Sequence, residues 1–119
     1  MSALRMLVVE DEPGLRFVIT EVFSGEAGFE VIEAASGDEA VEHLKSGGQI
    51  DCVFTDVRMP GAVDGIALAE HVLVAYPGTK VVMASGNHRP LGHVEAVPFF
   101  AKPYDIGAIA RTIRQLVDA

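Results

Sequence analysis

The sequence predicts an α/β fold, a five-stranded parallel sheet with helices on both faces. Strand-like and helix-like segments alternate five times along the chain, an order that builds a parallel sheet through right-handed crossovers. The central strand-like segment, Cys52-Val53-Phe54-Thr55, is a short continuous apolar run, as expected of a strand covered on both sides. A third observation concerns polar residues: Glu10-Asp11, Asp56, Ser85 and Lys102 each stand where a strand ends. In a parallel sheet those ends share one edge, and ligands collect in the crevice beyond it.

Leu4 to Val9 is the first strand, closed by Glu10-Asp11-Glu12. Pro13 suits the first position of a helix, where its missing N–H does no harm. Leu15, Ile19, Val22 and Phe23 then fall on one helical face, and Gly25 and Gly28 end that helix. Phe29 to Glu33 alternates apolar and polar residues, the pattern of a second strand. Ser36 and Glu39 form a capping box opening a helix through Ala40, Val41 and Leu44, which stops at Gly47-Gly48. The central strand leads through Asp56 into a loop, Met59 to Gly65. A third helix carries Leu68, Val72 and Tyr76 inward and ends before Pro77-Gly78. Lys80 to Ala84 is the fourth strand, with Ser85 at its carboxyl end. Between 87 and 96, Pro90 and Gly92 leave room for one or two helical turns at most. Pro98 holds Val97 extended, and a fifth strand runs through Phe99, Phe100 and Ala101. The last helix, from Tyr104 to Val117, places Ile106, Ile109, Ile113 and Leu116 on one face.

A chain of 119 residues is expected to form one domain, residues 1–119, with a single sizeable core. Half its residues are apolar, which excludes a disordered chain. A net charge of −8 argues against general affinity for nucleic acid or an anionic membrane, because phosphate binding needs a basic face. The N-terminal apolar run, Leu4 to Val9, is too short for a secretory core or a membrane span, so a cytoplasmic location is expected. Cys52, the lone cysteine, reads as a small core residue. His43, His71, His88 and His93 read as exposed residues without a ligand role.

The acids at the strand ends carry the chemistry. Two unit charges about 4 Å apart repel by roughly 4 kcal/mol at an effective dielectric of about 20. A cluster of acids is therefore hard to explain as scaffolding unless something cationic fills it. Carboxylate oxygens with no Cys or His nearby favour Mg²⁺, which keeps several waters and takes few protein ligands.

The acidic pair Glu10-Asp11, Asp56 with Met59-Pro60 and Asp64-Gly65 downstream, Ser85 in Met83-Ala84-Ser85-Gly86, and Lys102-Pro103 occur in one order, each at a strand end. In this the chain resembles the receiver domain of two-component response regulators, the chemotaxis-regulator type, along essentially its whole length. The resemblance implies a flavodoxin-like (βα)5 fold with strand order 2-1-3-4-5, the fourth helix here short or irregular. It implies that Asp56 accepts a phosphoryl group from a histidine kinase or a histidine phosphotransfer protein. Glu10, Asp11, Asp56 and the main-chain carbonyl of Arg58 would hold Mg²⁺, Glu10 largely through a water. Ser85 and Lys102 would contact the phosphoryl group, and Phe99 stands at the place of a switch aromatic. Arg58 and Asn87 occupy positions that tune dephosphorylation. In the family the Lys102-Pro103 peptide is often cis. The implied role is a stand-alone phosphorelay element, not an enzyme beyond assisting its own phosphorylation and dephosphorylation, that signals to a separate downstream target protein.

Three departures accompany the resemblance. The acidic pair is Glu-Asp where two aspartates are more frequent, and the loop after Met59-Pro60 is one residue longer than the commonest form. The segment between Ser85 and Lys102 is short and broken by Pro90 and Gly92, which bears on the output surface and leaves the site chemistry untouched. Three rival readings remain. A degenerate receiver would bind partners without phosphorylation. An aspartyl-phosphate hydrolase of the haloacid-dehalogenase kind wants an acid two residues after its nucleophile, where this chain has Arg58. A flavodoxin-like cofactor carrier would find its phosphate repelled by Glu10-Asp11-Glu12.

Overall fold

Five parallel strands form one sheet: β1 (Arg5–Val9), β2 (Glu30–Ala34), β3 (Cys52–Asp56), β4 (Lys80–Ser85) and β5 (Phe99–Ala101). Their spatial order is β2-β1-β3-β4-β5, the predicted one. The computed structural model describes residues 4–26, 28–46, 48–59, 61–85 and 97–118. The described helices are α1 (Pro13–Glu21), which runs on into a π-helical turn Val22–Glu26, α2 (Gly37–Lys45), α3 (Gly65–Ala75) and α4 (Ile106–Asp118). The short or irregular helix expected between 87 and 96 lies outside the described residues, as do Asn87, His88 and His93.

The two-residue period of a strand divides the core in two. Leu7, Val9, Val53, Val81 and Met83 face Leu44 of α2 and Leu68 and Val72 of α3. Met6, Val8, Cys52, Phe54, Val82 and Ala84 face Ile19 of α1, Phe23 just beyond it, and Ile109 and Ile113 of α4. Cys52 is a buried free thiol, as expected, and burial pushes its pKa up to about 12.

The helix starts follow their caps. Pro13 occupies the first turn of α1 and the Glu12 side chain takes the N–H groups of Gly14 and Leu15. Ser36 Oγ accepts from Glu39 N–H at 3.1 Å, and Asp64 Oδ1 from Ala67 N–H at 2.8 Å. The last helix begins at Ile106, two residues later than expected, because Asp105 Oδ1 accepts from Gly107 N–H at 2.9 Å and Ala108 N–H at 3.3 Å.

Other boundaries move for similar local reasons. The second strand starts at Glu30, whose N–H bonds Leu4 O at 2.8 Å; Phe29 instead sets its ring edge-on to Phe23 at 5.9 Å. Tyr76 closes α3 as its C-cap and is half-buried. Ser85 pairs with Ala101 inside β4. His43 and His71 are half-buried, contrary to expectation; the His71 ring lies edge-on to Tyr76 at 5.8 Å.

Two glycines bring the loop after β3 into place. A Cβ on Gly37 would overlap the Val63 carbonyl oxygen, and one on Gly65 the Asp56 carbonyl oxygen. Only hydrogen at these positions lets the starts of α2 and α3 approach that loop so closely.

Candidate functional site

β1 lies between β2 and β3, so the strand order reverses beside it and a crevice opens at the carboxyl ends of β1 and β3. Glu10 and Asp11 leave β1 there, and Asp56 ends β3. One side-chain oxygen from each of Glu10, Asp11 and Asp56 lies within 4.8 Å of the other two. Glu12 is outside this group because its carboxylate caps α1.

The three acids differ in setting. Asp11 is exposed. Glu10 is 3% exposed; its N–H bonds Ala34 O at 3.1 Å, and its Oε2 accepts from Glu12 N–H at 3.0 Å. Burial is the main cause that lifts its pKa from 4.5 to about 7. The Glu12 N–H opposes that rise, the charge of Asp56 and the hydrogen bond with Asp11 add to it, and Lys102 opposes it weakly. Asp56 is held from behind, since Val57 N–H bonds Ala84 O at 2.9 Å. Its Oδ2 accepts from Lys102 Nζ at 3.2 Å.

Lys102 follows β5, its N–H bonding Ser85 O at 2.9 Å, and the Lys102-Pro103 peptide is cis. Ser85 is 2% exposed and stands one residue beyond Ala84, the partner of Asp56 in the β3–β4 register. Phe99 is half-buried and packs on the α2–α3 side of the sheet. Arg58 is exposed, two residues beyond Asp56. The structure thus brings together Glu10, Asp11, Asp56 and Lys102, with Ser85 beside them at the same edge.

Two further residues reach this corner without having been singled out from the sequence. Tyr104, edge-on to Phe54 at 6.1 Å, has its hydroxyl pKa raised to about 12 by burial first and then by Glu10 and Asp56. Arg16 donates from Nη1 to the Glu10 carbonyl oxygen at 2.7 Å, and its Nε pairs with Glu33 Oε1 at 3.2 Å. Glu33 is 17 residues away, so no helical or strand period signals that pair. Chemically, the crevice offers three carboxylates against one ammonium, a set of hard oxygen donors that suits Mg²⁺.

Fold and site together define a class: open parallel α/β domains that gather acids and a lysine where the strand order reverses. The chain belongs to the response regulator receiver domain family, whose family model matches residues 6–114. It is 29% identical over 119 residues to sporulation initiation phosphotransferase F of Bacillus subtilis, covering 93% of this chain and 91% of that protein. It is 32% identical over 119 residues to the sensor kinase CckA of Brucella abortus; the match covers 95% of this chain but only 12% of that protein's length. Among solved structures, response regulator protein TrrA of Thermotoga maritima in complex with Mg²⁺ and BeF superposes with a TM-score of 0.84. That pair is 27% identical, and the match covers 95% of this chain and 98% of that one. Among the described residues, no helix is long and apolar enough to cross a membrane.

Proposed function

We propose that the chain is a cytoplasmic phosphorelay element in which Asp56 is the phospho-acceptor. The observation that carries this reading is the meeting of Glu10, Asp11 and Asp56 within 4.8 Å, with Lys102 Nζ 3.2 Å from Asp56. A carboxylate oxygen of Asp56 attacks the phosphorus of a phosphohistidine on a histidine kinase or phosphotransfer protein. The P–N bond breaks as the O–P bond forms, its electron pair leaves with the imidazole nitrogen, and Asp56 becomes an acyl phosphate.

Glu10 (through a water), Asp11, Asp56 and the Arg58 carbonyl would hold Mg²⁺, which when bound neutralises the oxygens of the transferring group. The Mg²⁺ and BeF complex of TrrA supports that choice of ion by likeness. Lys102 exchanges its contact with Asp56 for a phosphoryl oxygen, and the Ser85 hydroxyl donates to another. The β4 end moves toward the new charge, and Phe99, packed at the start of β5, follows it. Exposed Arg58, and Asn87, set how fast water reaches the acyl phosphate. The altered face then binds a separate target protein, with no turnover beyond self-phosphorylation and its reversal.

The test is to weigh the protein after incubation with a small phosphodonor, with and without Mg²⁺. A mass gain of one phosphoryl group is expected in wild type with the metal and in neither Asp56→Asn nor metal-free protein. No gain in wild type would leave a partner-binding domain that works without phosphorylation. An unchanged dephosphorylation rate in Arg58→Ala would remove Arg58 from the tuning role.

A further inference from the structure

We infer that Arg16 is a positioning residue of the metal corner: it fixes the Glu10–Asp11 peptide and so aims the Asp11 carboxylate. The inference rests on the reading that Glu10, Asp11 and Asp56 hold Mg²⁺.

The geometry is specific to a peptide unit. Glu10 is held at its N–H by Ala34 O of β2, at 3.1 Å. Its carbonyl, the acceptor half of the Glu10–Asp11 peptide, is past the last paired residue of β1 and has no strand partner among the described residues. Arg16 Nη1 meets that oxygen at 2.7 Å, a charge-assisted length. The guanidinium is itself held, since Nε pairs with Glu33 Oε1 at 3.2 Å and the side chain is only 21% exposed. A planar fork bound at two edges has little freedom, so the peptide plane it grips has little either.

Asp11 needs this. It is exposed, follows directly on that peptide, and is one of three carboxyl groups within 4.8 Å of one another, which repel once Glu10 is ionised. Without a fixed backbone the carboxylates relieve their repulsion by turning apart, and a cation must then spend binding energy on bringing them back. Groups that orient metal ligands from behind typically contribute about 10–100-fold to metal affinity. The clamp also ties Glu33 on β2 and α1 to the same corner, although neither supplies a ligand.

A residue that merely fastens α1 to β2 would affect unfolding and leave metal affinity alone. The experiment is therefore a calorimetric Mg²⁺ titration, without phosphodonor, of wild type, Arg16→Ala, Arg16→Lys and Glu33→Gln, each with its urea midpoint. Arg16→Ala is expected to raise the Mg²⁺ Kd by about tenfold, and Arg16→Lys, which keeps one donor for the Glu10 carbonyl, to restore part of the loss. Glu33→Gln is expected to raise Kd by a smaller factor. In phosphorylation runs, the Mg²⁺ needed for half-maximal rate shifts with Kd while the rate at saturating metal stays at the wild-type value. An Arg16→Ala Kd equal to wild type overturns the inference; if that variant does not fold, a wild-type Kd in both Arg16→Lys and Glu33→Gln overturns it. A wild type that binds Mg²⁺ but takes no phosphoryl group overturns the Asp56 reading alone, because the titrations do not depend on it.

Discussion

The two edges of the sheet treat charge in opposite ways. At the amino edge, Arg5 N–H donates to Asp51 Oδ2 at 2.7 Å, Arg5 Nη1 to Gln49 O at 2.9 Å, and Arg5 Nε pairs with Glu30 at 3.4 Å. Gln49 Nε2 takes the other oxygen of Asp51 at 3.2 Å. At the carboxyl edge, Glu10, Asp11 and Asp56 crowd together, Lys102 answers Asp56, and Glu10 is buried among like charges. One edge is satisfied as it stands. The other, on the reading proposed above, is completed by a divalent cation, and the repulsion it carries without that ion is relieved when the ion binds.

Glycines give the strongest way to break the comparison. Gly65→Ala drives a Cβ into the Asp56 carbonyl oxygen and should destabilise by about 4 kcal/mol, with loss of Mg²⁺ binding. At the amino edge Gly48 has φ +84°, and a Cβ there meets the movable end of Arg5; Gly48→Ala should cost about 1 kcal/mol and leave Mg²⁺ binding intact. Urea melts and metal titrations of both variants check this.

Next in size is a pH effect confined to the carboxyl edge. The fold holds the Glu10 proton up to about pH 7, whereas the ordinary value is 4.5. The favourable contribution is therefore complete below about 4.5 and lost as pH rises through 7, because the unfolded chain ionises first. At about 1.4 kcal/mol per unit, metal-free wild type should lose about 3 kcal/mol relative to Glu10→Gln between pH 4.5 and 8. The same comparison at saturating Mg²⁺ should show a smaller loss, since the bound ion stabilises the ionised form. A pH-independent difference in urea midpoint would contradict it.

The smallest contrast is one of sign. Asp51→Ala removes an acceptor from Arg5 N–H and should destabilise by about 2 kcal/mol, with no change in Mg²⁺ affinity. Asp56→Asn relieves repulsion and should stabilise the metal-free protein by about 1 kcal/mol while weakening Mg²⁺ binding. Melts showing the same sign for both would erase the distinction between the edges.

The amino edge was the less legible of the two in sequence. Strands such as Cys52–Asp56 announce themselves through apolar runs, and the acids and Lys102 stand at the ends of such runs, so the sheet and most of the site follow from short-range pattern. Boundaries depart from the periodicity where a side chain outranks it, as when Asp105 takes the first N–H groups of α4 or Phe29 turns to Phe23. Glu12 reads in sequence only as part of the acidic run after the first strand; its bonds to Gly14 and Leu15 N–H make it the cap of α1. The Arg5 and Arg16 side chains pair with residues far along the chain, Glu30 and Glu33, and long-range pairs of this kind leave no local trace.

The most direct measurement is the urea midpoint of wild type and Asp56→Asn at pH 7.5, each with and without millimolar Mg²⁺. Wild type should be stabilised by the metal, because the ion binds only the folded arrangement of acids, and Asp56→Asn should start more stable and respond less. A wild-type midpoint indifferent to Mg²⁺ would contradict the claim that the carboxyl edge is built around a divalent cation.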